Sequence, residues 1–155
     1  MIKILFVCHG NICRSPMAEF VMKDLVRQKG LQEQFLIVSC ATSREEIGND
    51  IHYGTRAILK EKGIPVEHRK AVQLKAKDYE VYDYLIAMDS ANLRNMKRIC
   101  RHDTEHKIHL LLDFCTEHRD IADPWYTGNF NETYDDVKVG CEALLNHILV
   151  ENGFN

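Results

Sequence analysis

Four short apolar runs punctuate this sequence, and each is followed by residues with helical periodicity. The first, residues 2–7 (IKILFV), is almost continuously apolar, as a strand covered on both faces must be. The others are QFLIVSCA (34–41), YDYLIAMD (82–89) and KIHLLLDF (107–114). Residues 15–30 read as a helix. Ser15 serves as its cap, Pro16 as its first helical residue and Gly30 as its exit. Met17, Phe20, Val21 and Leu25 share one face at helical spacing. A second helix is read over 49–63, with Ile51, Gly54 or Thr55, Ile58 and Leu59 inward. A third covers 90–100, capped by Ser90. The last covers 133–151, with Val137, Cys141, Leu144 or Leu145, and Ile148 inward, after a long loop that holds residues 119–132. Strand and helix in alternation predict an α/β fold with a mostly parallel sheet and helices on both faces. Ligands of such folds bind beyond the carboxyl ends of the strands.

The chain has 155 residues, enough for a real core, and residues 1–155 are read as one domain. A formal net charge of −3 leaves no basic footprint for nucleic acid. Apolar runs such as Leu110-Leu111-Leu112 are far too short to cross a bilayer. No small-residue cleavage site follows the apolar start, so it reads as a strand and not a signal peptide. The six cysteines (Cys8, Cys13, Cys40, Cys100, Cys115 and Cys141) are scattered among helix and strand patterns. That usage suits reduced thiols in a cytoplasmic protein rather than a disulfide scaffold. The chain is expected to be a monomer or weakly self-associating, with no membrane partner.

The first apolar run ends at Cys8, and the next residues form the segment CHGNICRS. A thiolate is stabilised by a helix N-terminus and by a neighbouring arginine. Backbone N–H groups in a turn facing a helix start hold an anion well. Gly10 lets such a turn tighten, and Asn11 tolerates a left-handed conformation. Arg14 offers a planar fork that matches two oxygens of one phosphate. Ser15 is placed to donate to the thiolate or to cap the helix. Residues His9, Gly10, Asn11, Ile12, Cys13, Arg14 and Ser15 therefore read as an oxyanion cradle with a thiolate at its base, suited to attack on phosphorus. Cys-x5-Arg alone is a weak signal; its place between a strand and a helix makes it stronger. Zinc is disfavoured because no second short-spaced cysteine pair follows Cys8 and Cys13. A thioredoxin-like pair needs Cys-x-x-Cys, which is absent. His102, His106 and His109 straddle a helix end, a loop and a strand, so they are not expected to converge on a metal.

The segments VCHGNICRSPMAE and DPWYTG, with IVSCATS, GIPVEHRKA and YDYLIAMDSANLRN in order between them, resemble the low-molecular-weight protein tyrosine phosphatases. The resemblance implies a three-layer fold with a four-stranded parallel sheet and a phosphate loop after the first strand. It implies cysteine-dependent hydrolysis of phosphotyrosine in proteins, without metal or other cofactor. Cys8 matches the nucleophile, Arg14 the phosphate-binding arginine, and Asp123, in Asp123-Pro124, the general acid. Asn11, Ser15, Ser39 and His68 match positions that brace the loop. Cys13 matches the second loop cysteine, which can form a reversible disulfide with the nucleophile. The chemistry needs such an acid, because a phenolate is a poor leaving group near neutral pH. Without the resemblance, Asp-Pro reads more simply as a turn.

The sequence departs from the family in places. His9 replaces the common apolar residue after the nucleophile. Glu45 stands where the family often has an aromatic against the substrate ring. Trp125 and Tyr126, beside the acid, are expected to wall the cleft by stacking. Tyr126 and Tyr134 are candidate phosphorylation targets. Ile12 favours phosphotyrosine over phosphoarginine, since relatives acting on the latter tend to carry threonine there. Arsenate reduction is disfavoured because no thiol follows the third strand before Cys100. A phosphate-binding pseudophosphatase is the remaining alternative, disfavoured because cysteine, arginine and acid are all present.

Overall fold

The computed structural model describes residues 1–154. Strands β1 (Ile2–Cys8), β2 (Phe35–Ala41), β3 (Tyr84–Ala87) and β4 (Ile108–Leu110) form one parallel sheet in the order β2-β1-β3-β4. Helices α1 (Arg14–Gln28), α2 (Tyr53–Glu61), α3 (Asp78–Val81), α4 (Ser90–Cys100), α5 (Pro124–Thr127) and α6 (Phe130–Glu151) connect and cover it.

Side chains alternate across a strand, so a doubly covered strand needs apolar residues at every position. In β1, Ile4, Phe6 and Cys8 enter one core with Met17, Phe20, Val137 and Leu144. Leu5 and Val7 enter the other with Tyr79, Leu85, Met96 and Cys100. Helices α1 and α6 thus cover one face and α4 the other. The first connection leaves β1 toward β2, while the chain later crosses back to place β3 on the other side of β1. The carboxyl ends of β1 and β3 therefore flank the point where the winding reverses, where a crevice is left between connections. Cys8 and Asp89 stand at those two ends.

Several boundaries differ from the sequence reading. Helix α1 starts at Arg14, with Cys13 at the cap position and no side-chain cap, so Pro16 is its third residue. Proline is tolerated there because first-turn N–H groups have no intrahelical acceptor. Helix α4 is capped by Asp89 in a reciprocal box with Asn92, not by Ser90. Helix α2 begins at Tyr53, four residues late, because Asn49 and His52 bond other loops: Ala71 N–H donates to Asn49 O and His52 N–H to Ile12 O. The fourth strand ends at Leu110, and Leu111–Phe114 turns into a 3₁₀ helix. The loop before the last helix contains α5, and α6 starts at Phe130, capped by Asn129.

Gly140 lets α6 approach that 3₁₀ turn. A Cβ there would lie 2.6 Å from Leu111 Cγ, and Leu111 is fully buried. Alanine favours a helix interior over glycine by up to about 1 kcal/mol, but overpacking a core costs about 1–3 kcal/mol. Gly140→Ala is therefore expected to lower stability by about 1–2 kcal/mol in urea unfolding. A stabilised variant would show that α6 shifts freely and that this contact is slack.

Candidate active site

The segment from Cys8 to Ser15 wraps the carboxyl end of β1 and the start of α1. Asn11 is fully buried with φ at +60°, the left-handed conformation that asparagine adopts more readily than most residues. Its amide is fixed by its partners. Oδ1 accepts from Val72 N–H at 3.2 Å, and Nδ2 donates to Ser15 Oγ at 2.8 Å and Ser39 Oγ at 3.0 Å. Ser39 Oγ in turn donates to Glu19 Oε1 at 2.6 Å. A carboxylate only accepts, so this chain has a direction. Glu19 accepts from the Ser39 hydroxyl, both serine oxygens accept from Asn11, and the Ser15 hydroxyl faces two acceptors, Cys8 Sγ at 3.0 Å and Cys40 O at 3.4 Å. Sγ also accepts from Asn11 N–H at 3.3 Å. The Asn11 N–H and the Ser15 hydroxyl thus flank one sulfur. Ser15, expected as a helix cap, is spent inward instead. Among the described residues, no backbone hydrogen bond outside regular elements uses the N–H of Ile12, Cys13, Arg14 or Ser15.

Arg14 is 2% exposed. Its Nη1 donates to Asp89 Oδ2 at 2.7 Å and Ile121 O at 2.9 Å, and its Nη2 to Asp123 Oδ2 at 3.3 Å. Burial works against its charge, but Cys8, Asp123 and Asp89 more than offset it, and the group is held firmly protonated. Asp123 has two roles. Oδ1 caps α5 by accepting from Trp125 N–H at 3.0 Å, while Oδ2 meets Arg14. The turn reading of Asp-Pro and the acid reading are therefore compatible. Asp120 is occupied elsewhere, accepting from Ser90 N–H and Oγ.

Cys13 sits within the loop, 4% exposed. Burial, then the charges of Asp123 and Cys8, push its thiol up to about 12. A thiol raised in this way has less thiolate character and is a weaker nucleophile.

A cavity of about 100 Å³ opens over the sulfur. Its floor is Cys8, Ile12, Cys13 and Arg14, with Asp123 at one side. One wall is Trp125 and Tyr126, 57% and 82% exposed. The other is Glu45 and Glu46, with His9 and Gly10 beneath them. Gly10 does not adopt a positive φ; its lack of a side chain makes room for Glu46, whose Cγ would lie 3.3 Å from an added Cβ. The Trp125 wall is buttressed by His52, which packs edge-on to Trp125 at 5.7 Å and stacks on Phe130 at 5.1 Å.

One expected brace is displaced. His68 is exposed and bonds Asp50 at 3.2 Å, not the loop. The adjacent Arg69 does the bracing, donating from Nη2 to Asn11 O. The bracing role thus falls one residue later than the resemblance implies. Tyr134 is buried, closed to modification in the folded chain, whereas Tyr126 is open. Glu19, Arg69, His52 and Glu46 were not singled out as site residues from sequence, and Asp89 entered only, with Asp120 and Glu45, as a fallback for the acid. Asp89 carried a usable signal, since it follows β3 at the same edge as Cys8.

These features define an α/β protein with a cysteine and an arginine in one phosphate-sized loop. The family model of the low molecular weight phosphotyrosine protein phosphatases matches residues 3–152. The chain belongs to that family. It is 41% identical over 153 residues to the low molecular weight protein-tyrosine-phosphatase YfkJ of Bacillus subtilis, covering 97% of this chain and 98% of that one. The crystal structure of YfkJ superposes with a TM-score of 0.94, covering 97% and 96% of the two chains. The low molecular weight protein tyrosine phosphatase SP-PTP of Streptococcus pyogenes is 43% identical with a TM-score of 0.85, over 95% and 93%. A Drosophila arginine phosphatase is 31% identical with a TM-score of 0.85, over 95% and 98%.

Arg14→Lys keeps the charge but cannot serve Asp89, Ile121 O and a phosphate together. Loss of one donor to a developing charge costs about 10²–10³-fold in rate. The variant is expected to lose at least that much in kcat/KM on para-nitrophenyl phosphate. Near-normal turnover would remove Arg14 from the proposed machinery.

Proposed function

We propose that this protein hydrolyses phosphotyrosine in proteins through a phosphocysteine on Cys8, as a single domain acting in the cytoplasm, monomeric or weakly self-associating. The observation that carries this reading is the convergence of Cys8, Arg14 and Asp123 on one cavity. Cys8 Sγ attacks phosphorus, and the bond to the tyrosine oxygen breaks. Asn11 N–H donates to the sulfur and the Ser15 hydroxyl lies 3.0 Å from it, so both hold it at the base of the loop. The unspent N–H groups of residues 12–15 and the Arg14 fork take the phosphate oxygens. A phosphate on Nη2 replaces the Asp123 contact there, while Asp89 keeps its hold on Nη1. Asp123, still capping α5 through Oδ1, is then placed to give a proton to the leaving oxygen and later to take one from the water that hydrolyses the phosphocysteine. Trp125 and Tyr126 suit a flat aromatic ring. His9, Gly10, Ile12 and Cys13 complete the phosphate loop, and Ser39 braces it through Asn11.

A panel of peptides phosphorylated on tyrosine, serine, threonine or arginine, assayed with a chelator present, tests the reading. Turnover is expected on phosphotyrosine, and Cys8→Ser is expected to abolish it while retaining phosphate or vanadate binding. Residual turnover in Cys8→Ser would sink covalent catalysis by this residue. Phosphoarginine is the second reading, because the arginine phosphatase shares this fold; Ile12 in the cavity floor argues against it.

Asp123→Asn is expected to slow phosphoenzyme formation by about 10²–10⁴-fold for phenyl phosphate and by less for para-nitrophenyl phosphate, whose leaving group needs less protonation. Equal losses on both substrates would leave Asp123 as a helix cap alone.

A further inference from the structure

The two walls of the cavity differ in chemistry. Trp125 and Tyr126 carry no charge. Opposite them, residues 42–49 present Glu45 and Glu46. This acidic wall is anchored to the phosphate loop. Thr42 N–H donates to Cys8 O at 2.9 Å, and Ser43 donates to His9 O from both its N–H, at 3.1 Å, and its hydroxyl, at 2.8 Å. Glu46 lies against Gly10, and its carboxylate accepts from Asn49 Nδ2 at 2.6 Å. Glu45 Oε2 meets His9 Nε2 at 2.8 Å, and the Glu45 side chain remains 68% exposed. Its other oxygen has no hydrogen bond among the described residues.

Among the described residues, no exposed lysine or arginine head lines the cavity to balance these carboxylates. Arg14 is buried beneath them, and neighbouring Arg44 turns to Gln73 at 3.3 Å. His9 offsets at most one charge, and Asp123 adds another carboxylate across the opening. A phosphotyrosine with its phosphate on Arg14 carries the peptide out past this rim. The residues next to it in sequence then meet Glu45 and Glu46.

We propose that Glu45 and Glu46 form an acidic lip that selects phosphotyrosine flanked by a basic residue and rejects it when flanked by acidic ones. The inference rests on the phosphatase reading and names the substrate class within it. The attraction acts at an exposed rim, so each charge contributes modestly and salt weakens it. Replacing a lysine by a glutamate exchanges attraction for repulsion, which doubles the contrast and works on two carboxylates together.

The test compares phosphotyrosine peptides that differ only in having Lys, Ala or Glu beside the phosphotyrosine. At low ionic strength kcat/KM should fall in the order Lys, Ala, Glu, with about a tenfold spread from first to last. In 1 M salt, where screening acts within about 3 Å, the spread should shrink to about twofold. The double variant Glu45→Gln, Glu46→Gln should show the same compression at low salt, and Glu45→Lys with Glu46→Lys should invert the order. The ratio between peptides is read within each protein, so a partial loss of folded enzyme does not alter it. Equal kcat/KM for the Lys and Glu peptides with the unaltered enzyme would overturn the inference while leaving the phosphatase reading intact. A spread that survives the double Gln change would overturn it too. No turnover of any phosphotyrosine peptide by the unaltered enzyme would overturn the phosphatase reading itself.

Discussion

A buried guanidinium governs the arrangement of this molecule. Arg14 is taken from water almost completely, which is costly for a charge unless it is paired and hydrogen-bonded. Its partners come from distant parts of the chain: Asp89 after β3, the Ile121 carbonyl, and Asp123 before α5. Burying the charge therefore requires these three segments to assemble around the end of β1. The requirement gathers a loop, a strand end and an acidic turn that the hydrophobic cores alone would leave unregistered. Asp89 adds a second constraint, because it also caps α4 through Asn92 N–H.

A second polar device fixes the loop itself. The left-handed turn at Asn11 is held from inside by Ser15, Ser39 and Val72, and from outside by Arg69. Glu19, on α1, sets the direction of the whole chain of hydrogen bonds by being able only to accept. The groups around the sulfur are therefore positioned by a network that runs through Ser15, Asn11 and Ser39 to Glu19, not by the cysteine's own rotamer. Lys23 closes the far end by pairing with Glu19 at 2.7 Å.

The sheet and its covering helices were legible because burial on two faces leaves strong marks. Residues 4–7 are apolar at every position, and both sets of alternate side chains enter a core. The inward residues of the last helix, Val137, Cys141, Leu144, Leu145 and Ile148, are all buried as their spacing demands. Helix starts were less legible. Ser15 and Ser90 both look like caps, but Ser15 finds a better partner in Cys8, and Asp89 already occupies the place before Ser90. The triple leucine at 110–112 does not distinguish strand from helix, and the strand ends inside it. Cys8 and Arg14 were readable as a local pattern. Asp123 was not, because its meaning depends on a partner over a hundred residues away; only the resemblance pointed to it. Glu19 and Arg69 left no mark at all, since a charged residue on a helix or loop normally reads as solvated surface.

The stack around His52 has a consequence for how the site works. His52 donates its N–H to Ile12 O in the loop, while its ring stands between Tyr53 and Phe130 and against Trp125. The loop that surrounds the sulfur and the turn that carries Asp123 are thus keyed to one another through a single residue. Phe130 fits because Gly54 leaves it room; an added Cβ would meet its ring at 2.4 Å. Such a jaw is set before anything enters it. A site keyed in this way keeps its reacting groups in register without a ligand, so less of the binding energy goes to ordering them.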